Sequence, residues 1–219
     1  MASALDYGYL WAWEPIEPQQ LAESLSGFAR PWWICGGCAL DLFLGRDTRR
    51  HDDLDVGLLR DDQRALFDYL RGCGWDLHYA TPEHTLEPWD GRHLEAPVHG
   101  IWARRSDEPN APWTCEFLLN EARDGEWVFR RSDAVRRPLN EIGEKRDGVP
   151  FLRPEIVLLY KAAEPSPKND TDFAAVQPHL SRDASLWLRA ALESCDDRHP
   201  WIQALVAASH DLGEPSHGS

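Results

Sequence analysis

Gly36 to Val56 reads GGCALDLFLGRDTRRHDDLDV, and the order of its parts decides how the rest of the chain is interpreted. Immediately upstream, Trp32 to Cys35 is a short apolar run that meets Gly36-Gly37, the pattern of a buried strand entering a tight turn. Cys38 to Leu44 has helical character and closes at Gly45, a residue suited to a helix C-cap. A basic loop follows, with Arg46, Arg49, Arg50 and His51, and then a second apolar strand, LDVGLL, over Leu54 to Leu59.

Asp53 and Asp55 stand two apart at the start of that strand, so their side chains are expected on one face. Two carboxylates forced together repel unless a cation lies between them. Mg²⁺ suits such a pair, because it takes hard oxygen ligands and keeps phosphate oxygens in its shell. Gly36 and Gly37 lack Cβ atoms, which lets backbone N–H groups approach a phosphate at the positive end of a helix. Arg46, Arg49, Arg50 and His51 are placed to neutralise a triphosphate, with Arg49 and His51 as the candidate nucleotide contacts. Each piece alone is weak, since Asp-x-Asp pairs and Gly-Gly turns are common. Their succession as strand, glycines, helix, basic loop and acidic strand is the informative feature.

Working outward, Leu21, Leu25 and Phe28 recur at helical spacing, which predicts a helix over 17–29, stopped by Pro31. Residues 1–16 are aromatic and lack periodicity, as in a surface arm. Leu66, Phe67 and Leu70 predict a helix over 63–70 that ends at Gly72. The middle of the chain is strand-like at 75–80, 98–104, 114–119 and 127–131, with turn signals such as Asp124-Gly125 between. After Pro154 the pattern becomes helical, at 155–163, 171–180, 184–192 and 201–209. The fold class expected is α/β (α+β), a mixed β-sheet with helices followed by a small helical part. The boundary is placed near 150, giving 1–150 as the catalytic domain and 151–219 as the helical C-terminal domain.

The 219 residues carry 23 Lys and Arg against 37 Asp and Glu, a formal charge of −14. That surface repels phosphate backbones, which argues against a nucleic-acid partner and suits a cationic small molecule. The same acidity is also compatible with nothing more than solubility. The odd count of five cysteines, with no basic N-terminal segment, favours reduced thiols and a cytoplasmic protein. No run of apolar residues is long enough to span a membrane.

The same stretch resembles the aminoglycoside nucleotidyltransferases within the nucleotidyltransferase superfamily. The resemblance lies on Gly36, Gly37, Ala39, Asp41, Gly45, Arg46, Thr48, Arg49, His51, Asp52, Asp53 and Asp55, about twenty residues of close likeness. It implies a Mg²⁺-dependent, ATP-binding enzyme that moves a nucleoside monophosphate, AMP in the expected case, from a nucleoside triphosphate to a hydroxyl. The implied acceptor is a small cationic molecule such as an aminoglycoside-like antibiotic, with antibiotic resistance as the implied role. A third carboxylate on a later strand is also implied, as metal ligand, general base or both. Glu116, in the apolar run WTCEFLL, is the leading candidate, ahead of Glu121, Asp124 and Glu126. Related enzymes carry a helix with a Lys followed by Lys-x-Asp and a further Asp. This places Lys161 and Lys168 opposite the nucleotide, although both also suit ordinary helix ends. Acceptor contacts from Glu83, Glu87, Trp89 and Trp102 are expected from position.

Two other readings compete. Cys35-Gly36-Gly37-Cys38 is a C-x-x-C between strand and helix, as in thiol oxidoreductases, but that reading leaves the basic loop and both aspartates unused. A toxin-like transferase acting on tRNA or protein would keep the fold and change the acceptor.

Overall fold

The computed structural model of the chain describes residues 12–106, 108 and 111–211, and of 208–211 the backbone alone. Most of the expected N-terminal arm (1–11) and the tail from 212 lie outside the described residues. Residues 13–16 run alongside the strand edge at Trp113, with Glu14 N–H donating to Trp113 O at 2.9 Å and Ile16 N–H to Thr114 O at 3.0 Å.

The first helix, α1 (Pro18–Ser24), is shorter than the periodicity predicts. Its last carbonyls are met from outside the helix: the Tyr69 hydroxyl donates to Ser24 O at 2.8 Å and accepts from Gly27 N–H. Leu21 and Leu25 still reach the core, so the apolar spacing was read correctly although the helix stops early. Strand β1 (Trp32–Ile34), helix α2 (Gly36–Leu44), strand β2 (Asp55–Leu59) and helix α3 (Gln63–Gly72) follow as expected. Gly45 ends α2 in the left-handed region, at φ 69°, where a residue without Cβ is strain-free.

Then come β3 (Asp76–Ala80), β4 (Leu86–Pro88), β5 (Gly100–Arg104), β6 (Cys115–Arg123), β7 (Glu126–Val128), β8 (Arg136–Pro138), β9 (Gly143–Arg146) and β10 (Val149–Leu152). Among the described residues these strands form one mixed sheet, whose main path runs β4-β3-β5-β6-β2-β1-β10-β9, with β7 and β8 attached to the far end of β6. Four of the strands, β4, β8, β9 and β10, were not anticipated. β9 reads GEKR and has no apolar alternation to reveal it. It pairs with β10 across Asp147-Gly148, where both residues have positive φ, as a two-residue hairpin turn requires.

The helical part is α4 (Pro154–Ala162), α5 (Pro167–Val176), α6 (Arg182–Cys195) and α7 (Trp201–Asp211). Helix α5 starts four residues before the predicted Thr171, because the Ser166 side chain caps it by accepting from Asn169 N–H and Pro167 suits the first turn. The apolar core is continuous from Leu21 through Phe117 and Phe151 to Leu188 and Leu205. The mixed sheet followed by C-terminal helices is the fold class expected. Among the described residues no helix is long and apolar enough to cross a membrane.

Candidate active site

The site is built where two parallel strands begin side by side. β2 pairs with β6 so that Asp55 stands opposite Glu116, and β6 pairs with β5 so that Glu116 stands opposite Trp102. Cross-strand partners point to the same face, so both carboxylates are held together on one side of the sheet. Burial and the charge of Asp53 push Asp55 up to about 7, against the influence of Lys161 and Lys168. Burial and the charge of Asp55 raise Glu116 to about 8, against a hydrogen bond from Trp102 and the charge of Arg130. Asp53 lies just before the strand, more exposed, and its charge acts on both. Both shifts have the same physical causes, lost hydration and repulsion from a nearby carboxylate.

Two glycines make room for this pair. Gly36 sits at φ 60°, and a Cβ there would overlap Asp55 Oδ2; a Cβ at Gly100 would overlap Glu116 Oε1. Gly36 also opens α2, whose N-cap, Cys35, provides no side-chain partner. The N–H groups of the first turn are therefore free of a cap and carry the positive end of the helix dipole. Gly37 is crowded by the His51 ring and by Arg49 Nη2, which would lie 2.6 Å from a Cβ. Gly36→Ala should force the carboxylate aside and adopt a left-handed conformation costing about 1–2 kcal/mol. The expected result is a lower melting temperature together with weaker binding of a non-hydrolysable triphosphate in calorimetry. Unchanged affinity would show that no ligand approaches this backbone closely.

Of the other residues singled out in the sequence, Arg49 and Lys161 converge on one carboxylate. Asp172 accepts from Arg49 Nε at 3.1 Å and Nη2 at 3.2 Å, and pairs with Lys161 Nζ at 2.7 Å. These contacts hold Asp172 below its usual range despite burial, and tie the basic loop to the helical part. His51 is anchored as well: Asp41 Oδ2 lies 2.6 Å from His51 Nε2, while Asp41 Oδ1 accepts from Thr48 N–H and hydroxyl. Asp41 thus folds the loop back over α2. Lys168 stands in the first turn of α5 with no carboxylate partner among the described residues, in a cleft of about 570 Å³ shared with Gly36, Asp55, Tyr160 and Lys161. Asp53 opens onto a different hollow, with Cys38, Arg49 and His51.

The anticipated acceptor contacts separate. Trp102 is at the site, beside Glu116 and tilted against Trp13 at 4.7 Å. Trp89 is buried against Phe67, its indole N–H donating to Arg92 O, so it is a core residue and presents no ring face to a ligand. Glu87 lies on β4, three strands from β6, where it accepts from Tyr79, and Glu83 is in the exposed turn before it. Glu121, the alternative third carboxylate, is engaged by buried Arg60 at 2.6 Å. Sequence reasoning missed Gly100 and Arg130, which left no signal, and it met Asp172 only as the further Asp after Lys168, without its partners.

The thiols do not form a redox pair. Cys35 and Cys38 are unbonded, and burial with neighbouring carboxylates pushes both up, Cys38 to about 12. Dithiol exchange needs an accessible thiolate, so the environment is the opposite of what that chemistry requires. Cys38→Ser should accordingly retain most of whatever transfer activity the protein has, and the native protein should leave insulin disulfides intact in a turbidity assay. Rapid insulin reduction, lost in the variant, would restore the thiol reading.

The chain resembles known proteins in one segment of its sequence and in its fold. Residues 19–94 match the family described as aminoglycoside-2''-adenylyltransferase. A 2''-aminoglycoside nucleotidyltransferase from Escherichia coli, and another from Klebsiella pneumoniae, are 47% identical over 45 residues, 19% of this chain and 25% of theirs. The match therefore spans about a quarter of the length of those curated relatives. In structure, the antibiotic-resistance factor ANT(2'')-Ia superposes with a TM-score of 0.52 at 18% identity, over 88% of this chain and 95% of that one. The lincomycin-bound lincosamide adenylyltransferase LnuA does so with a TM-score of 0.50 at 11% identity, over 75% and 98%. The chain has the nucleotidyltransferase fold. Over residues 19–94 its sequence resembles the aminoglycoside nucleotidyltransferase group.

Proposed function

We propose that this chain is a Mg²⁺-dependent nucleotidyltransferase that moves a nucleoside monophosphate, AMP from ATP, onto a hydroxyl of a small amine-bearing molecule of the aminoglycoside or lincosamide kind. The observation that carries the reading is the Asp55–Glu116 pair, two destabilised carboxylates in register at a glycine-opened helix N-terminus and across a cleft from lysines. Among the described residues no three His, Cys, Asp or Glu side chains form a cage for a metal. Mg²⁺ does not need one, since it is commonly held by one or two carboxylates and completes its shell with phosphate oxygens and water. The hard oxygen donors and their mutual repulsion fit that ion.

In this reading Asp53, Asp55 and Glu116 hold the metal. The bound ion supplies polarisation of the α-phosphate, charge neutralisation on the leaving pyrophosphate and a lower pKa for the acceptor hydroxyl. The amides at Gly36 and Gly37 face the β- and γ-phosphates. Arg49, fixed by Asp172, adds positive charge without needing to reorganise when the donor arrives, and His51, fixed by Asp41, stands beside it. Lys161 and Lys168 add positive charge from the helical wall. Residues 1–150 thus supply the carboxylates and the helix N-terminus, and 151–219 the opposing lysines. Glu116 takes the acceptor proton when its carboxylate is ionised. The formal charge of −14 favours an amine-bearing acceptor over tRNA, and the relatives named for aminoglycosides support that class. A cytoplasmic location and a role in antibiotic resistance follow from the same reading.

The test is to incubate the protein with Mg²⁺, each of the four ribonucleoside triphosphates and a panel of aminoglycosides and lincosamides, with mass spectrometry of the products. An adduct heavier by one nucleoside monophosphate is expected, formed only with metal. No adduct with any pairing would overturn the proposed acceptor class.

A further inference from the structure

Four cations line the cleft beside Asp55, namely Arg130, Arg131, Lys161 and Lys168, against two carboxylates, Asp55 and Glu164. Such a surplus of positive charge is unexpected in so acidic a chain, and it marks a hollow built for a polyanion. Two of the four are already paired: Lys161 with Asp172 at 2.7 Å, a carboxylate it shares with Arg49, and Arg131 with Glu164. Arg130 and Lys168 have no carboxylate partner among the described residues. They stand on opposite walls, Arg130 just after β7 on the sheet side and Lys168 in the first turn of α5.

We propose that Arg130 is a ligand of the donor's polyphosphate, closing on it from the sheet side while Lys168 closes from the helical side. This rests on the donor-site reading given above. The guanidinium lies 5.6 Å from the centroid of the Tyr160 ring, a contact that holds it over the cleft while leaving its N–H donors free. Its charge also acts on Glu116. A guanidinium offers a planar fork that engages two phosphate oxygens at once, a geometry an ammonium lacks. Nothing in the Gly36 to Val56 stretch announces this residue; the turn after β7 brings it in.

The test uses Mg²⁺ with inorganic tripolyphosphate, and separately Mg²⁺ with a non-hydrolysable triphosphate, titrated calorimetrically into the full chain. Arg130→Ala is expected to bind tripolyphosphate at least about tenfold more weakly, Arg130→Lys to recover part of the loss, and added salt to narrow the difference. Because Arg130 is exposed, the melting temperature of each variant should match the wild type, which separates a binding defect from a folding one. Unchanged tripolyphosphate binding in Arg130→Ala overturns the proposal. So does a loss confined to the nucleotide analogue, which would put the guanidinium on the base or ribose. If the wild type binds neither probe, the donor-site reading itself fails, and this inference with it.

Discussion

Asp55→Asn is expected to abolish nucleotidyl transfer while making the metal-free protein more resistant to heat. The amide keeps the shape of the side chain but withdraws the anionic oxygen that would hold the metal, which removes several kcal/mol of transition-state stabilisation and at least about a hundredfold in rate. Stability moves the other way because the native fold resists the ionised group: Asp55 is pushed up to about 7 from 3.8 by burial and by the charge of Asp53. A carboxyl whose pKa is raised on folding binds protons in the native state that the unfolded chain releases, so its ionisation costs stability as pH rises from about 4 towards 7. The amide removes that cost. Asp53→Asn should lose activity similarly with a smaller gain in stability, since Asp53 is exposed. The decisive measurements are single-turnover rates and metal-free melting curves near neutral pH. Turnover close to wild type in either variant would end the metal assignment.

Glu116→Gln is expected to lower turnover strongly while a triphosphate still binds, because the amide coordinates weakly and accepts no proton. A parallel fall in affinity would instead make Glu116 chiefly a metal ligand, and normal rate with normal binding would leave it structural. The same variant tests the electrostatics. Glu116 is raised to about 8, so in the metal-free protein its ionisation destabilises the fold between about pH 5 and pH 8. His78 and His99 are both lowered, mainly by burial, and push stability the opposite way at the acid end of that range. Comparing the variant with the wild type at each pH cancels their contribution. The wild type should lose melting temperature with rising pH more steeply than the variant, and Mg²⁺ should restore more of it at the alkaline end, where both carboxylates are ionised. Equal slopes with and without Glu116 would mean that its carboxylate is not strained by its surroundings.

Much of the fold could be read from local chemistry. The Gly-Gly after an apolar run, the Gly45 stop and the Asp-x-Asp at a strand start depend on backbone conformation and side-chain alternation, which neighbours in sequence determine. Glu116 was legible because a lone acid within WTCEFLL needs a reason to be there. The strands β4, β8, β9 and β10 were not legible, because they are short and two of them, RRP and GEKR, carry no apolar pattern; they exist through the partners they pair with. The partners of the basic residues were not legible for a related reason. Asp172 and Asp41 hold Arg49, His51 and Lys161, over separations of 123, 10 and 11 residues in the chain. Position alone also nominated Trp89, whose place in the core depends on packing against Phe67.

By itself, then, the sequence nominated the groups on which the proposed chemistry rests: oxygens suited to a hard cation, and backbone able to approach a phosphate. Tertiary structure decided which of those groups meet. The parallel register of β2 with β6 sets Asp55 beside Glu116 across sixty residues of chain, and the turn after β7 brings Arg130 to the cleft opposite Lys168. The physical reason is one of range. Conformation and hydrogen-bond chemistry are local and travel with the residue, whereas repulsion between carboxylates and the neutralisation of a cation depend on distances of a few ångströms that only long-range pairing fixes.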